Sequence, residues 1–249
     1  MIKSENIVKT FGEGNQEFRA LDGVDVKIGK GEFVAVMGPS GSGKTTLMFA
    51  LSGMDNINEG RVCFEINDLS KLKENQLADL RRRKMGFIFQ QPTMLKNLNI
   101  LDNIILPSLR DNSGDRAVLV SKAQRLMEKT GIAGLENRDI TQVSGGQLQR
   151  AGICRALMAD PDIVFGDEPT GALNSKAADD IMDILSDVNA DGTAVMLVTH
   201  DARVAARAGR VLFMRDGKIV SQLEMQPFSK DELDNRTQRI SDKMREIAI

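Results

Sequence analysis

Gly38-Pro39-Ser40-Gly41-Ser42-Gly43-Lys44-Thr45 follows the apolar run Phe33 to Val36 and precedes the helical-looking stretch Thr46 to Leu51. It fits the phosphate-cradling pattern GxxxxGK[ST], in the strand-loop-helix setting that gives the pattern its meaning. Phosphates need three things together: backbone N–H groups that approach closely, a helix N-terminus and a reachable ammonium. Gly38, Gly41 and Gly43 supply the close approach. Lys44 is expected to reach the β- and γ-phosphates, and the Thr45 hydroxyl to ligate a Mg²⁺ bridging them. The whole stretch through Thr46 is assigned to the nucleotide. The loop leaves the reaction open, because kinases, GTPases, helicases and transport ATPases share this cradle.

The rest of the composition narrows the class. A chain of 249 residues with 41% hydrophobic content buries a substantial core, as one α/β domain or a core with an inserted subdomain. Lys+Arg 33 against Asp+Glu 35 leaves a net charge of -2, so no overall positive field draws nucleic acid or anionic lipid. Arg81-Arg82-Arg83-Lys84 is the exception, and reads as a solvated surface or as a contact for an acidic partner loop. The two cysteines, Cys63 and Cys154, lack CxxC or Cys/His spacing and read as buried small hydrophobes. Lys3 and Glu5 stand where a secretory leader needs an apolar run, and no segment approaches the ~18 apolar residues of a membrane span. A cytoplasmic chain is expected.

Short β-like runs, Ile2 to Thr10, Phe18 to Leu21 and Val24 to Ile28, predict an N-terminal antiparallel sheet leading into the core. Further strands are expected at Gly60 to Ile66, Gly86 to Phe89, Ile163 to Phe165 and Ala194 to Val198. A hairpin is expected from Val211 to Val220, turning at Asp216-Gly217. Helical spacing occupies Lys71 to Lys84, Val118 to Thr130, Gly146 to Met158 and Lys176 to Asn189. The expected organisation is a nucleotide-binding core with the antiparallel β subdomain over 1–90, a mostly helical insert over 91–160, the core again over 161–228 and a helical tail over 229–249.

Three further constellations refine the chemistry. Val143-Ser144-Gly145-Gly146-Gln147 opens an amphipathic helix, so Ser144 can cap it while the glycine N–H groups form a second anion site. Ile163 to Gly166 is an apolar strand ending at Asp167-Glu168, which puts two carboxylates at the strand's C-terminal edge, where ligands bind in such sheets. Asp167 would hold Mg²⁺ through its water shell, and Glu168 would orient and deprotonate the attacking water. His200, the only histidine, follows Ala194 to Val198 at the same kind of edge, suited to a γ-phosphate.

The order and spacing of the phosphate loop, Gln90, Ser144-Gly145-Gly146-Gln147, Asp167-Glu168 and His200 closely resemble the ATP-binding cassette family along nearly the whole chain. The resemblance implies a P-loop NTPase α/β core with its antiparallel β subdomain and helical insert, and an ATPase using ATP and Mg²⁺. It implies that Phe11 stacks on adenine, that Gln90 senses Mg²⁺ and couples to a partner, that Glu168 is the catalytic base and that His200 is the switch histidine. Two such cassettes pack head to tail, Ser144 and Gly146 of one facing the γ-phosphate held by Lys44 of the other. Phe11 replaces the family's commoner tyrosine, and Asn174 in Gly171-Ala172-Leu173-Asn174 replaces an aspartate, which bears on rate and cross-site communication rather than on ATP binding. The motif wording resembles the bacterial branch serving lipoprotein release, macrolide export and antimicrobial-peptide resistance. That branch implies an integral membrane permease as partner, and a chain peripheral at the inner face of the cell membrane. A ribosome- or DNA-directed cassette would usually be fused in tandem. A kinase or GTPase would have no use for Ser144-Gly145-Gly146-Gln147, and a nonhydrolytic module would not need Lys44, Glu168 and His200 together.

Overall fold

The computed structural model describes residues 1–12, 14, 17–110 and 115–248. In chain order the strands are β1 (Ile2–Phe11), β2 (Phe18–Ile28), β3 (Phe33–Met37), β4 (Glu59–Phe64), β5 (Asn67–Asp68), β6 (Met85–Phe89), β7 (Ile163–Asp167), β8 (Ala194–Val198), β9 (Arg210–Arg215) and β10 (Lys218–Glu224). The helices are α1 (Lys44–Leu51), α2 (Glu74–Lys84), α3 (Ile100–Ile105), α4 (Arg116–Lys129), α5 (Gly145–Leu157), α6 (Ser175–Ala190), α7 (Ala202–Ala205) and α8 (Leu233–Glu246). They fall into two compact units, Met1–Asp79 with Ala194–Ile249, and Leu80–Thr193.

In the first unit β3 lies between β8 and β9, all three parallel, with β10 antiparallel on β9. β3 and β8 are buried at every position. A strand covered on both faces has no solvent side to mark with polar residues, which is why each reads as an unbroken apolar run. A separate antiparallel sheet has the order β2-β1-β4-β5, built where the short N-terminal runs predict one.

Local details differ from the sequence expectation for physical reasons. The two expected runs Phe18 to Leu21 and Val24 to Ile28 are one strand, because Asp22-Gly23 forms an irregularity in the β1–β2 pairing rather than a turn, with Gly23 at φ 70. Asp22 N–H donates to Gly217 O at 3.0 Å, so the apparent turn residues are tied to the β9–β10 hairpin. The strand expected to run to Ile66 stops at Phe64. Glu65 takes φ 53 and the chain doubles back into β5, leaving Ile66 95% exposed at the bend. The charged helix starts at Glu74 rather than Lys71, after a 3-10 turn over Leu69–Lys71 capped by Asp68. The Arg81 to Lys84 run closes that helix, where cations complement the carbonyl end of the helix dipole.

In the second unit β6 and β7 pair in parallel, from Met85↔Ile163 to Phe89↔Asp167. Helices α3, α4 and α5 bury Ile100, Ile104, Leu119, Met127, Ala151 and Cys154 against one another. α3 is absent from the sequence expectation: six residues are too few to express a helical period, and its start rests on Asn99, whose Oδ1 accepts from Asp102 N–H at 2.7 Å. Gly86 lets α5 lie close on β6, since a Cβ there would stand 2.7 Å from Ala156 O.

The two cysteines differ. Cys154 is buried, with Thr130 Oγ1 at 3.1 Å from its sulfur, whereas Cys63 on β4 is only half-buried, a correction to the expectation that both are core residues. Burial pushes the Cys154 thiol up from 9.0 to about 11. Its contribution to stability is therefore whole below the ordinary thiol value and is lost as pH rises through 9 towards about 11, because the unfolded chain ionises first. At pH 8 a small disulfide reagent is expected to modify Cys63 promptly and Cys154 only on unfolding. Two thiols reacting at one fast rate in the folded protein would contradict this.

Candidate nucleotide site

The phosphate loop leaves the end of β3 and enters α1 at Lys44. Two of its glycines are compelled by space. A Cβ at Gly38 would stand 2.2 Å from Met214 O, and one at Gly43 2.3 Å from Ala20 O, with φ 97 at Gly43. The loop is thus pressed against β2 and β9, and Gly217 N–H donates to Ser42 O at 3.1 Å to close the arrangement. Ser42 Oγ is buried and, among the described residues, has no hydrogen-bond partner. Lys44 Nζ is folded onto the loop, donating to Gly38 O at 2.9 Å and Pro39 O at 2.8 Å. α1 has no side-chain cap at its N-terminus. An uncapped helix start, an orphan hydroxyl and an ammonium at the loop's centre together fit a polyphosphate.

His200 lies at the same strand edge. Val36 of β3 pairs with Val198 of β8, so Gly38 and His200 each stand two residues beyond a paired position, and Thr199 N–H donates to Val36 O at 3.1 Å. His200 is exposed there. Phe11 pairs with Phe18 at the end of the β1–β2 ladder, with the rings 45% and 58% exposed and Lys9 Nζ 4.8 Å from the Phe11 centroid. An exposed ring beside a cation is a stacking surface, and stacking needs no hydroxyl.

In the second unit the register Phe89↔Asp167 puts Gln90 and Glu168 one residue beyond the last pair, at one edge. Gly171 makes room for the glutamine: a Cβ there would meet Gln90 Nε2 at 2.9 Å. Gly171 N–H in turn donates to Glu168 O at 3.0 Å. Glu168 has φ 49, an uncommon conformation for a non-glycine residue, of a kind that clusters at functional sites. Among the described residues no group of three His, Cys, Asp or Glu side chains stands ready to hold a metal alone. Mg²⁺ that draws most of its ligands from phosphate and water needs no such cage.

Ser144 caps α5 in a reciprocal box with Gln147: Ser144 Oγ accepts from Gln147 N–H at 3.3 Å, and Gln147 Oε1 accepts from Ser144 N–H at 2.8 Å. The Gln147 side chain is thereby committed to its own backbone, while Gly145 and Gly146 open the helix. Two residues on, Gln149 is buried and its Nε2 donates to Phe89 O at 3.0 Å, joining α5 to β6, the strand that Gln90 follows. Sequence reasoning passed over Gln149, whose only signal was a polar residue on the apolar face of α5. Asn174 caps α6, its Oδ1 accepting from Ala177 N–H at 2.9 Å.

A glycine loop running from a buried parallel strand into a helix, with a histidine at the end of the neighbouring β8, marks a P-loop nucleotide-binding core, and the second unit carries carboxylates at the end of its own parallel strand β7. The ABC transporter family profile matches residues 21–171, and the chain belongs to that family. It is 39% identical to the bacitracin export ATP-binding protein BceA of Halalkalibacterium halodurans, over 93% of either chain. It is 40% identical to the macrolide export ATP-binding/permease protein MacB of Chlorobaculum tepidum, over 91% of this chain but only 34% of that longer one. Among solved structures, the dimeric post-hydrolysis state of the ATP-binding cassette MJ0796 bound to ADP and Pi superposes with a TM-score of 0.85, at 35% identity, over 92% of this chain and all of that one. The chain is an ATP-binding, ATP-hydrolysing cassette that works with Mg²⁺.

Proposed function

We propose that two copies of this chain close around two ATP molecules and, by hydrolysing them, move an integral membrane permease that serves antimicrobial-peptide resistance or export. The reading is carried by the presence of two helix starts suited to phosphate in one chain, α1 behind Gly43 and α5 behind Ser144. The second is accounted for if it meets the nucleotide of a twin. The likeness to BceA over nearly all of both chains supports a separate ATP-binding subunit, and the macrolide relative supports a permease partner, since there the two functions share one chain. Among the described residues no helix is long and apolar enough to cross a membrane. The proposed location is therefore cytoplasmic, peripheral at the inner face of the membrane through the permease.

In this reading Lys44 and the loop N–H groups hold the phosphates, Phe11 stacks on the base, and Ser144, Gly145 and Gly146 bind the twin's γ-phosphate. Thr45, Gln90 and Asp167 would hold Mg²⁺, Gln90 as its sensor and Asp167 through the ion's water. When bound, the ion neutralises charge on the β- and γ-phosphates. Glu168 takes the proton of the attacking water, and His200 holds the γ-phosphate in place. Asn174 keeps its cap on α6 and brings no charge to the seam between copies.

Turnover per chain is then expected to rise with protein concentration. It should rise again, about tenfold or more, when the chain is assembled with its permease in a membrane. A rate per chain that is flat across concentration and indifferent to the permease would overturn the proposal.

A further inference from the structure

The tail helix α8 ends in a stretch whose sequence pattern assigns it no task, yet it carries a buried arginine. Arg236 is 3% exposed. Its Nε donates to Ala206 O at 2.6 Å, its Nη2 to Ala208 O at 2.6 Å and its Nη1 to Gln226 O at 2.7 Å. Phe228 holds the guanidinium from the side, its ring centroid 5.5 Å from Arg236 Cζ and 4.7 Å from Arg207 Cζ. The planar fork of an arginine aims three separate nitrogens at three spread carbonyls, which the single nitrogen of a lysine cannot match.

Ala206 is the C-cap of α7 and Ala208 lies in the turn that follows it, while at the other end the N-cap Asp201 comes immediately after His200. Thr199 is fixed on β3 through Val36 O, and Asp201 N–H donates to Thr199 Oγ1 at 3.1 Å. The Asp201 carboxylate then caps α7 through Arg203 N–H at 2.7 Å. The helix itself is four residues long, tied by Ala205 N–H to Asp201 O at 3.0 Å and Ala206 N–H to Ala202 O at 2.9 Å. A helix of one turn has no stability of its own, so its axis is set by what holds its ends. One end bears His200, and Arg236 holds the other.

We propose that Arg236 is a positioning residue for His200: the C-terminal helix, through this clamp on α7, sets where the histidine stands and hence how well it meets the γ-phosphate. The proposal rests on the reading of His200 given above. Arg236 touches no nucleotide, and its effect passes through α7.

The test is a mutant cycle with a spectroscopic arm. Arg236→Lys keeps the charge but replaces three directed donors with one nitrogen. It is expected to lower kcat about tenfold or more with KM for ATP within twofold. On a His200→Ala background the same change is expected to cost less than twofold. Because His200 is the only histidine, its ring Cε1–H resonance is single and self-assigned. In the ATP-loaded Glu168→Gln protein that resonance is expected to shift and broaden in Arg236→Lys. Asp242→Ala, an exposed change on the same helix whose carboxylate pairs with Arg245 of α8 itself, should leave both readouts at their starting values. Equal losses of kcat on both backgrounds, with the resonance unmoved, would mean that Arg236 only anchors the tail, and the proposal falls. His200→Ala at full turnover with a resonance that still moves in Arg236→Lys would support the clamp and remove the γ-phosphate reading instead. Should Arg236→Lys fail to fold, Phe228→Leu carries the same cycle, since it removes the ring that steadies the guanidinium and leaves its donors in place.

Discussion

Glu168→Gln is expected to bind ATP as the parent chain does and to turn it over about 10²–10⁴-fold more slowly, the range ascribed to a lost general base. Glutamine has the size and hydrogen-bonding outline of glutamate, and the φ of 49 at this position asks the same of either residue. The backbone carbonyl that receives Gly171 N–H at 3.0 Å is untouched, so the loop that seats Gln90 keeps its form. What disappears, on the proposed reading, is the carboxylate that takes a proton from water. A fall in kcat with unchanged ATP affinity is the signature of an interaction made only in the transition state. Measured by single-turnover hydrolysis beside equilibrium ATP binding, parallel losses in both would instead mark Glu168 as part of the binding surface.

Gly43→Ala should strike earlier, at the loop itself. The new Cβ would stand 2.3 Å from Ala20 O, a backbone atom of β2 that cannot rotate away, in a conformation with φ 97. The left-handed conformation costs roughly 1–2 kcal/mol and overpacking typically about 1–3 kcal/mol. Together these correspond to a fall in Tm of roughly 4–20 °C for a chain of this size. The less costly escape is for the loop to shift off β2, which displaces Lys44 from the phosphates. ATP affinity is expected to fall by about 100-fold or more on that account, a loss of about 2.7 kcal/mol. Gly41→Ala separates strain from clash, since its Cβ meets nothing within 4 Å and only the φ of 79 opposes it. It should lose less stability than Gly43→Ala. A Gly43→Ala chain with parent Tm and parent ATP affinity, by calorimetry and titration, would contradict the packing described for the loop.

The contrast between what the sequence discloses and what it hides follows from range. The phosphate loop, the Ser144 cap and the strand ending at Asp167-Glu168 are local patterns, each decided within about eight residues by backbone geometry and helix-end chemistry. They are legible, and the strand edges lie where the apolar runs put them. Features that depend on distant partners are not. Asp22-Gly23 has turn composition, yet the β9–β10 hairpin claims it through Gly217. Gln149 looks like an ordinary helical glutamine until Phe89 O, 60 residues away, accepts from it. Arg236 sits in a charged tail, and its partner Ala206 lies 30 residues earlier. Cys63 stands between the buried Val62 and Phe64, and strand alternation turns it to the opposite, less covered face of β4.

The central proposal, that the nucleotide is shared between two copies, is tested most directly by the mass in solution of the Glu168→Gln chain with ATP and Mg²⁺, read by light scattering or sedimentation. The single chain weighs 27.3 kDa. A species of about twice that mass, formed with ATP and lost when ATP is withheld, is the expected result. A particle that stays at the single-chain mass with ATP bound would contradict it.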